Sequence, residues 1–117
     1  MIIIALDELH KKRVKKILDN FCEDRIPERV KDQIELDYNI RDKYVTLIEK
    51  RRQYKNPKEW TKQKIAQFRF NPEDNKWSLY WWRHTGKWYK YKEIQSSNEL
   101  QELVDEVDED PTAIFWG

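Results

Sequence analysis

Glycine is nearly missing from this chain, with two among 117 residues, Gly86 and Gly117. So few positions free to take positive φ exclude the glycine-built loops that wrap phosphate groups. Cysteine occurs once, at Cys22, which rules out an internal disulfide and a multi-cysteine metal site and suits a reducing compartment. The two histidines, His10 and His84, have no Cys or His at metal-ligand spacing and are expected on the solvent surface. No apolar run approaches the roughly 20 residues of a membrane-spanning helix. The opening MIIIALDELHKK also lacks the basic start and small-residue cleavage site of a signal peptide. These absences point to a cytoplasmic protein that uses no cofactor and no membrane.

What is abundant is charge and aromatic surface. Charged residues make up 38% of the chain and aromatic residues 14%, a combination that a disordered chain does not show. The length fits one domain spanning residues 1–117. The net charge of +1 hides a division along the chain: residues 1–40 are near neutral, residues 41–92 strongly basic, and residues 93–117 hold no Lys or Arg at all. A basic middle beside an acidic end predicts either a polyanionic partner or an internal charge complement. Well-solvated surface charge is the plainer alternative.

From Asp7 to Glu23, Val14, Ile17, Leu18 and Phe21 recur at helical spacing, and Leu6 and Leu9 extend the stripe backwards. Asp7 is the expected N-cap, and the lysines at 11, 12, 15 and 16 form the solvent face. Cys22, at the edge of the stripe, reads as a buried, inert thiol. After a connector at Pro27, Ile34–Ile40 alternates apolar and polar residues, and Tyr44–Arg51 is rich in β-branched and aromatic ones, giving a hairpin. Arg52–Gln63 shows no periodicity and reads as a long basic loop holding Tyr54, Pro57 and Trp60. Lys64–Phe70 is a third strand with Ala66, Phe68 and Phe70 on one side, and Asn71–Asn75 a turn.

Trp77–Tyr91 (WSLYWWRHTGKWYKY) contains four of the six tryptophans and three of the six tyrosines. Its central His84-Thr85-Gly86 makes it a hairpin. With a three-residue loop and Gly86 left-handed, Trp82 opposes Trp88, Trp81 opposes Tyr89 and Tyr80 opposes Lys90. With a two-residue loop the fifth strand turns over. In either register Tyr80 and Trp82 lie opposite the face of Leu79. Ser96 and Glu99 have the spacing of a capping box ahead of Leu100, Leu103, Val104 and Val107, an amphipathic helix. The terminal Ile114–Gly117 is expected to dock into the core. The fold class is therefore α+β: a five-stranded antiparallel meander with an N-terminal and a C-terminal helix packed on one face.

The blocks VTLIEKR (Val45–Arg51), EWT (Glu59–Thr61), AQFRF (Ala66–Phe70), WSLYW (Trp77–Trp81) and DEDPTAIFWG (Asp108–Gly117) resemble the successive blocks of a bacterial family catalogued as a domain of unknown function, number 3024. The resemblance covers most of the chain from the first strand onwards. It implies a compact single-domain protein of bacterial type and assigns no catalytic residue.

Single-strand nucleic-acid binders combine basic grooves with aromatic rings on which bases stack. Arg51, Arg52, Trp60, Arg69, Tyr80, Trp82 and Arg83 are the candidate residues for such a surface, with single-stranded DNA or RNA as partner. A protein–protein adaptor or homodimer using the same rings is the second reading. A third is a metal-dependent nuclease with carboxylates at Asp37 and Glu49, although Arg51 stands where that chemistry wants a lysine. The acidic segment Glu99–Asp110 reads either as a strap over the basic sheet or, more simply, as a helix completing the core.

Overall fold

The computed structural model describes residues 5–116. Helix α1 (Glu8–Arg25) is followed by strands β1 (Ile34–Arg41), β2 (Tyr44–Arg52), β3 (Trp60–Asn71), β4 (Lys76–Arg83) and β5 (Lys87–Lys90), then helix α2 (Leu100–Glu109). The strands form one antiparallel sheet in chain order, so the meander is as expected. Both helices pack on the same sheet face, where Val14 and Leu18 of α1 and Leu103 and Val107 of α2 share a core with Val45, Leu47, Phe68 and Leu79.

Asp7 caps α1 by accepting the His10 N–H at 2.8 Å. The apolar stripe does not run back to Leu9, which is 58% exposed. Leu6 is buried from outside the helix instead, held by its N–H donated to the Asp42 carbonyl. His10 is only half exposed, its ring 4.6 Å from that of Phe70. The capping box is not formed. The N-cap of α2 is Glu99, with no side-chain cap of its own; the Ser97 backbone pairs with that of Trp77, and the Ser97 hydroxyl accepts the Glu99 N–H at 3.0 Å. Ser96 meets the Ser78 hydroxyl at 2.8 Å. Together these contacts pin the connector to β4 before the helix can begin.

The segment from Arg52 to Gln63 is the main departure from expectation. Only residues 53–59 connect, closed by Gln53 N–H on the Glu59 carbonyl and Arg52 Nη1 on the Pro57 carbonyl. Trp60–Gln63 belongs to β3 and continues the pairing with β2. Periodicity failed there because the pairing is bulged: Leu47 faces Ala66 but Ile48 faces Lys64, leaving Ile65 as the extra residue. Ile65 and Ala66 are both buried in succession.

The last hairpin takes the three-residue loop. Trp82 faces Trp88, Trp81 faces Tyr89 and Tyr80 faces Lys90, with Gly86 at φ 88° and its N–H on the Arg83 carbonyl. The tail docks through Asp110, left-handed at φ 45°, whose carboxylate accepts the N–H groups of Ile114, Phe115 and Trp116. Phe115 is buried against the Tyr91 ring, and Trp116 donates its indole N–H to the Val107 carbonyl. Arg25 lies 4.1 Å over the Trp116 ring and bonds Asp108, joining α1, α2 and the tail. The expected docking of Gly117 falls outside the described residues.

Candidate functional site

The sheet face turned away from the helices is the candidate site. Strand alternation places Tyr44, Thr46, Ile48, Lys50 and Arg52 of β2 on it, and the bulge at Ile65 brings Trp60, Lys62 and Lys64 of β3 to the same side. Gln67 and Arg69, then Tyr80 and Trp82, then Trp88 and Lys90 complete it. Its basic strand residues are Arg41, Lys50, Arg52, Lys62, Lys64, Arg69, Lys76 and Lys90, against two acidic ones, Glu35 and Asp37. Asp37 is held below the usual carboxylate range despite partial burial, by hydrogen bonds from Lys50 and from the Tyr38 N–H. Neither helix crosses this face, so the acidic α2 is a core helix, its Leu100, Leu103, Val104 and Val107 all buried.

The cations and rings interleave. The Arg69 guanidinium lies 3.7 Å from the Tyr80 ring centroid and 5.2 Å from that of Tyr44. Lys64 Nζ sits 4.2 Å over Trp82, against which Trp88 stands edge-on at 5.0 Å. Arg52 lies 4.6 Å over Trp60. Beneath this layer are the buried Thr46 and Gln67. Gln67 donates to the Thr46 hydroxyl at 3.0 Å and accepts from Arg69 Nε at 2.7 Å. The guanidinium is thus stacked on one ring and fixed in its plane from below. Among the described residues, its terminal nitrogens have no protein acceptor. A groove of about 470 Å³ opens beside it, with Gln67 as floor, Asn39, Arg41 and Tyr44 on one side, and Lys64 and Trp88 on the other.

Of the seven residues that the sequence singled out, Arg52, Trp60, Arg69, Tyr80 and Trp82 share this face. Arg51 and Arg83 do not. Arg51 alternates to the side of Glu49, whose carboxylate it binds at 2.7 Å, and Arg83 lies on the side of Leu79, over the Tyr89 ring. Adjacent strand residues such as Arg51 and Arg52 cannot point to the same side. The residues missed were Tyr44, Lys64 and Gln67. Trp88, expected on this face only with a three-residue turn, is there because that turn forms, and Lys64 is there because of the bulge.

The carboxylate pair of a nuclease is not assembled. Asp37 lies opposite Ile48, while Glu49 lies opposite Leu36, so the two occupy opposite faces of the sheet. Among the described residues no three His, Cys, Asp or Glu side chains converge as metal ligands. No described helix is long and apolar enough to cross a membrane.

A family model described as "Domain of unknown function (DUF3024)" matches residues 6–117. The chain belongs to this family. No curated protein and no solved structure matches it. The DUF3024 match spans the blocks from Val45 to the C-terminal DPTAIFWG and assigns no chemistry to any residue, so the reading of the site rests on geometry alone.

Cys22, on the last turns of α1, is half-buried and not fully buried as expected. Burial, with Asp37 and Asp19 nearby, pushes its thiol up to about 12. The expected result is that iodoacetamide at pH 8 leaves the folded DUF3024 chain almost unlabelled and modifies it rapidly in denaturant, as read by intact mass.

Proposed function

We propose that the helix-free face of the sheet binds single-stranded nucleic acid, DNA or RNA. The observation that carries this reading is Arg69, stacked on Tyr80 and held through Nε by Gln67, its terminal nitrogens without a protein acceptor among the described residues, in a basic, ring-lined surface. A guanidinium fixed in this way offers parallel N–H donors to a phosphodiester, and little side-chain entropy remains to be lost on binding. The rings supply the second half of the interaction. Lys64 lies on Trp82 as a cation would; an arriving base takes that ring face by stacking, and the displaced ammonium moves to the neighbouring phosphate. Gln67 and Asn39 in the groove bear donors and acceptors for base edges, yet the dominant contacts are to charge and π surface, so weak sequence preference is expected.

The test is binding of a fluorescent oligothymidylate, followed by anisotropy as salt rises. The affinity is expected to fall about tenfold or more from roughly 50 to 200 mM salt, because each neutralised phosphate of a single strand contributes about −0.7 to the slope of log K against log salt. Absence of binding at low salt, or an affinity indifferent to salt, overturns the reading.

A further inference from the structure

The outer edge of β1 and the groove beside it form a second surface. β1 ends the sheet. The Arg52 N–H bonds the Gln33 carbonyl, so in the antiparallel register the odd residues Glu35, Asp37 and Asn39 direct their backbone groups to β2. The amides and carbonyls of Leu36, Tyr38 and Ile40 therefore point outward. Among the described residues, Asp37 covers one of these donors, the Tyr38 N–H, at 2.8 Å. Beside this edge, between α1 and β1, lies a groove of about 480 Å³. Consecutive residues from Ile34 to Tyr38 form one wall, and Cys22 and Ile26 contribute apolar surface from the other. Ile34, Leu36 and Tyr38 remain only half-buried, unlike Val45 and Leu47 on the next strand. Asp19 and Glu23 also line the groove, with Lys31, bonded to Glu23, as the one basic residue among the described lining.

The geometry points to docking of an extended segment of another protein, added as a sixth strand along β1, in which basic and apolar residues alternate. Strand addition satisfies the outward Leu36 and Ile40 groups. Alternation follows from the pleat: the segment's apolar side chains enter the groove beside Leu36, and the basic ones lie on the other face against Glu35 and Asp37. The carboxylates of Asp19, Glu23, Glu35 and Asp37 around the groove call for a basic segment. Antiparallel self-pairing centred near Leu36 sets Glu35 or Asp37 directly against Glu35 or Asp37 of the other copy, and like charges in that position repel; the register that sets Tyr38 opposite itself brings Glu35 against Arg41 instead, and the concentration dependence tested below distinguishes it.

The experiment titrates a short peptide of alternating lysine and valine into the full-length, ¹⁵N-labelled protein, with an alternating glutamate–valine peptide as control. The expected result is shift changes confined to Ile34–Tyr38 and the facing turn of α1, slowed exchange of the Leu36 amide, and no response to the control. Glu35 is exposed and faces Lys50, so Glu35→Gln, which sets no like charge against that lysine, is expected to keep the melting temperature within a few degrees while weakening the peptide by about two- to fivefold, the value of one cross-strand charge pair of up to about 1 kcal/mol. Shifts on the Arg69 face instead, equal binding of the glutamate peptide, or full affinity in Glu35→Gln overturns the proposal. Slow Leu36 exchange without peptide, rising with protein concentration, overturns it in favour of self-association. The polyanion reading fails or stands separately, since the contacts that carry it, Arg69 on Tyr80 and Lys64 on Trp82, are on β3 and β4 and only Asn39 and Arg41 of its groove belong to β1.

Discussion

Phe115→Ala is expected to destabilise the fold by about 3–5 kcal/mol, the range for removing a large buried aromatic side chain. Phe115 is 5% exposed and packs at 5.1 Å on Tyr91, itself buried with its hydroxyl on Glu106. It sits in a tail with little internal hydrogen bonding, so the tail's position depends on Asp110. Three backbone N–H groups converge on that one carboxylate, from 2.9 to 3.1 Å. Asp110→Ala leaves those part-buried donors without an acceptor and is expected to cost about 2 kcal/mol or more. Deleting Ile114–Gly117 removes both and should match or exceed the Phe115 loss. Urea unfolding followed by tryptophan fluorescence checks all three; a midpoint unchanged in the deletion would show that the tail contributes nothing to the core. The size of the effect follows from what the tail closes. Trp116 also lies under Arg25 and bonds Val107, so its loss loosens the contact between α1 and α2.

Arg69→Ala and Trp82→Ala are each expected to weaken oligothymidylate binding by about 1–3 kcal/mol, roughly five- to 150-fold. Arg69→Lys separates shape from charge. It keeps the positive charge but loses the stack on Tyr80 and the bond to Gln67, so most of the affinity should still be lost while the salt slope stays nearly unchanged. The controls are Arg51→Ala and Arg83→Ala. Both remove one charge from the same basic region, but from the opposite side of the sheet. They should shift affinity by no more than about threefold at moderate salt, where charges beyond about 10 Å are screened. If all four alanine variants lose affinity equally, binding follows net charge and not this face.

The contrast between those variants shows how far the residues themselves reach. Alternation in Ile34–Ile40, in Tyr44–Leu47 and in Trp77–Leu79 assigns inner and outer faces correctly, because a side-chain period of two holds wherever a strand is regular. Helical spacing located α1 and α2, since burying an apolar stripe sets which residues lie inward. Asp7 as cap, the turn at Gly86 and the docking of the tail were legible for the same kind of reason: each depends on a few neighbouring residues. These features determine the α+β class, the strand order of a meander with short connections, and the pairing of Tyr80 with Trp82 on the face away from Leu79.

Tertiary structure decided the rest. Read backwards from Ala66 with unbroken alternation, Lys64, Lys62 and Trp60 fall on the helix side. The extra residue at Ile65 turns all three to the outer face, and nothing local announces it, because a bulge exists only relative to the strand opposite. Ser96 had the spacing of a cap, but Ser97 was already paired with Trp77, and cross-chain hydrogen bonds overrode the local signal. Asp37 and Glu49 looked like one site until the register placed them on opposite faces. Spacing alone places the inward faces of the regular elements, apart from the exposed Leu9 and the half-buried β1; which cations stand over which rings follows from the assembled sheet, because that depends on the register between strands far apart in the chain.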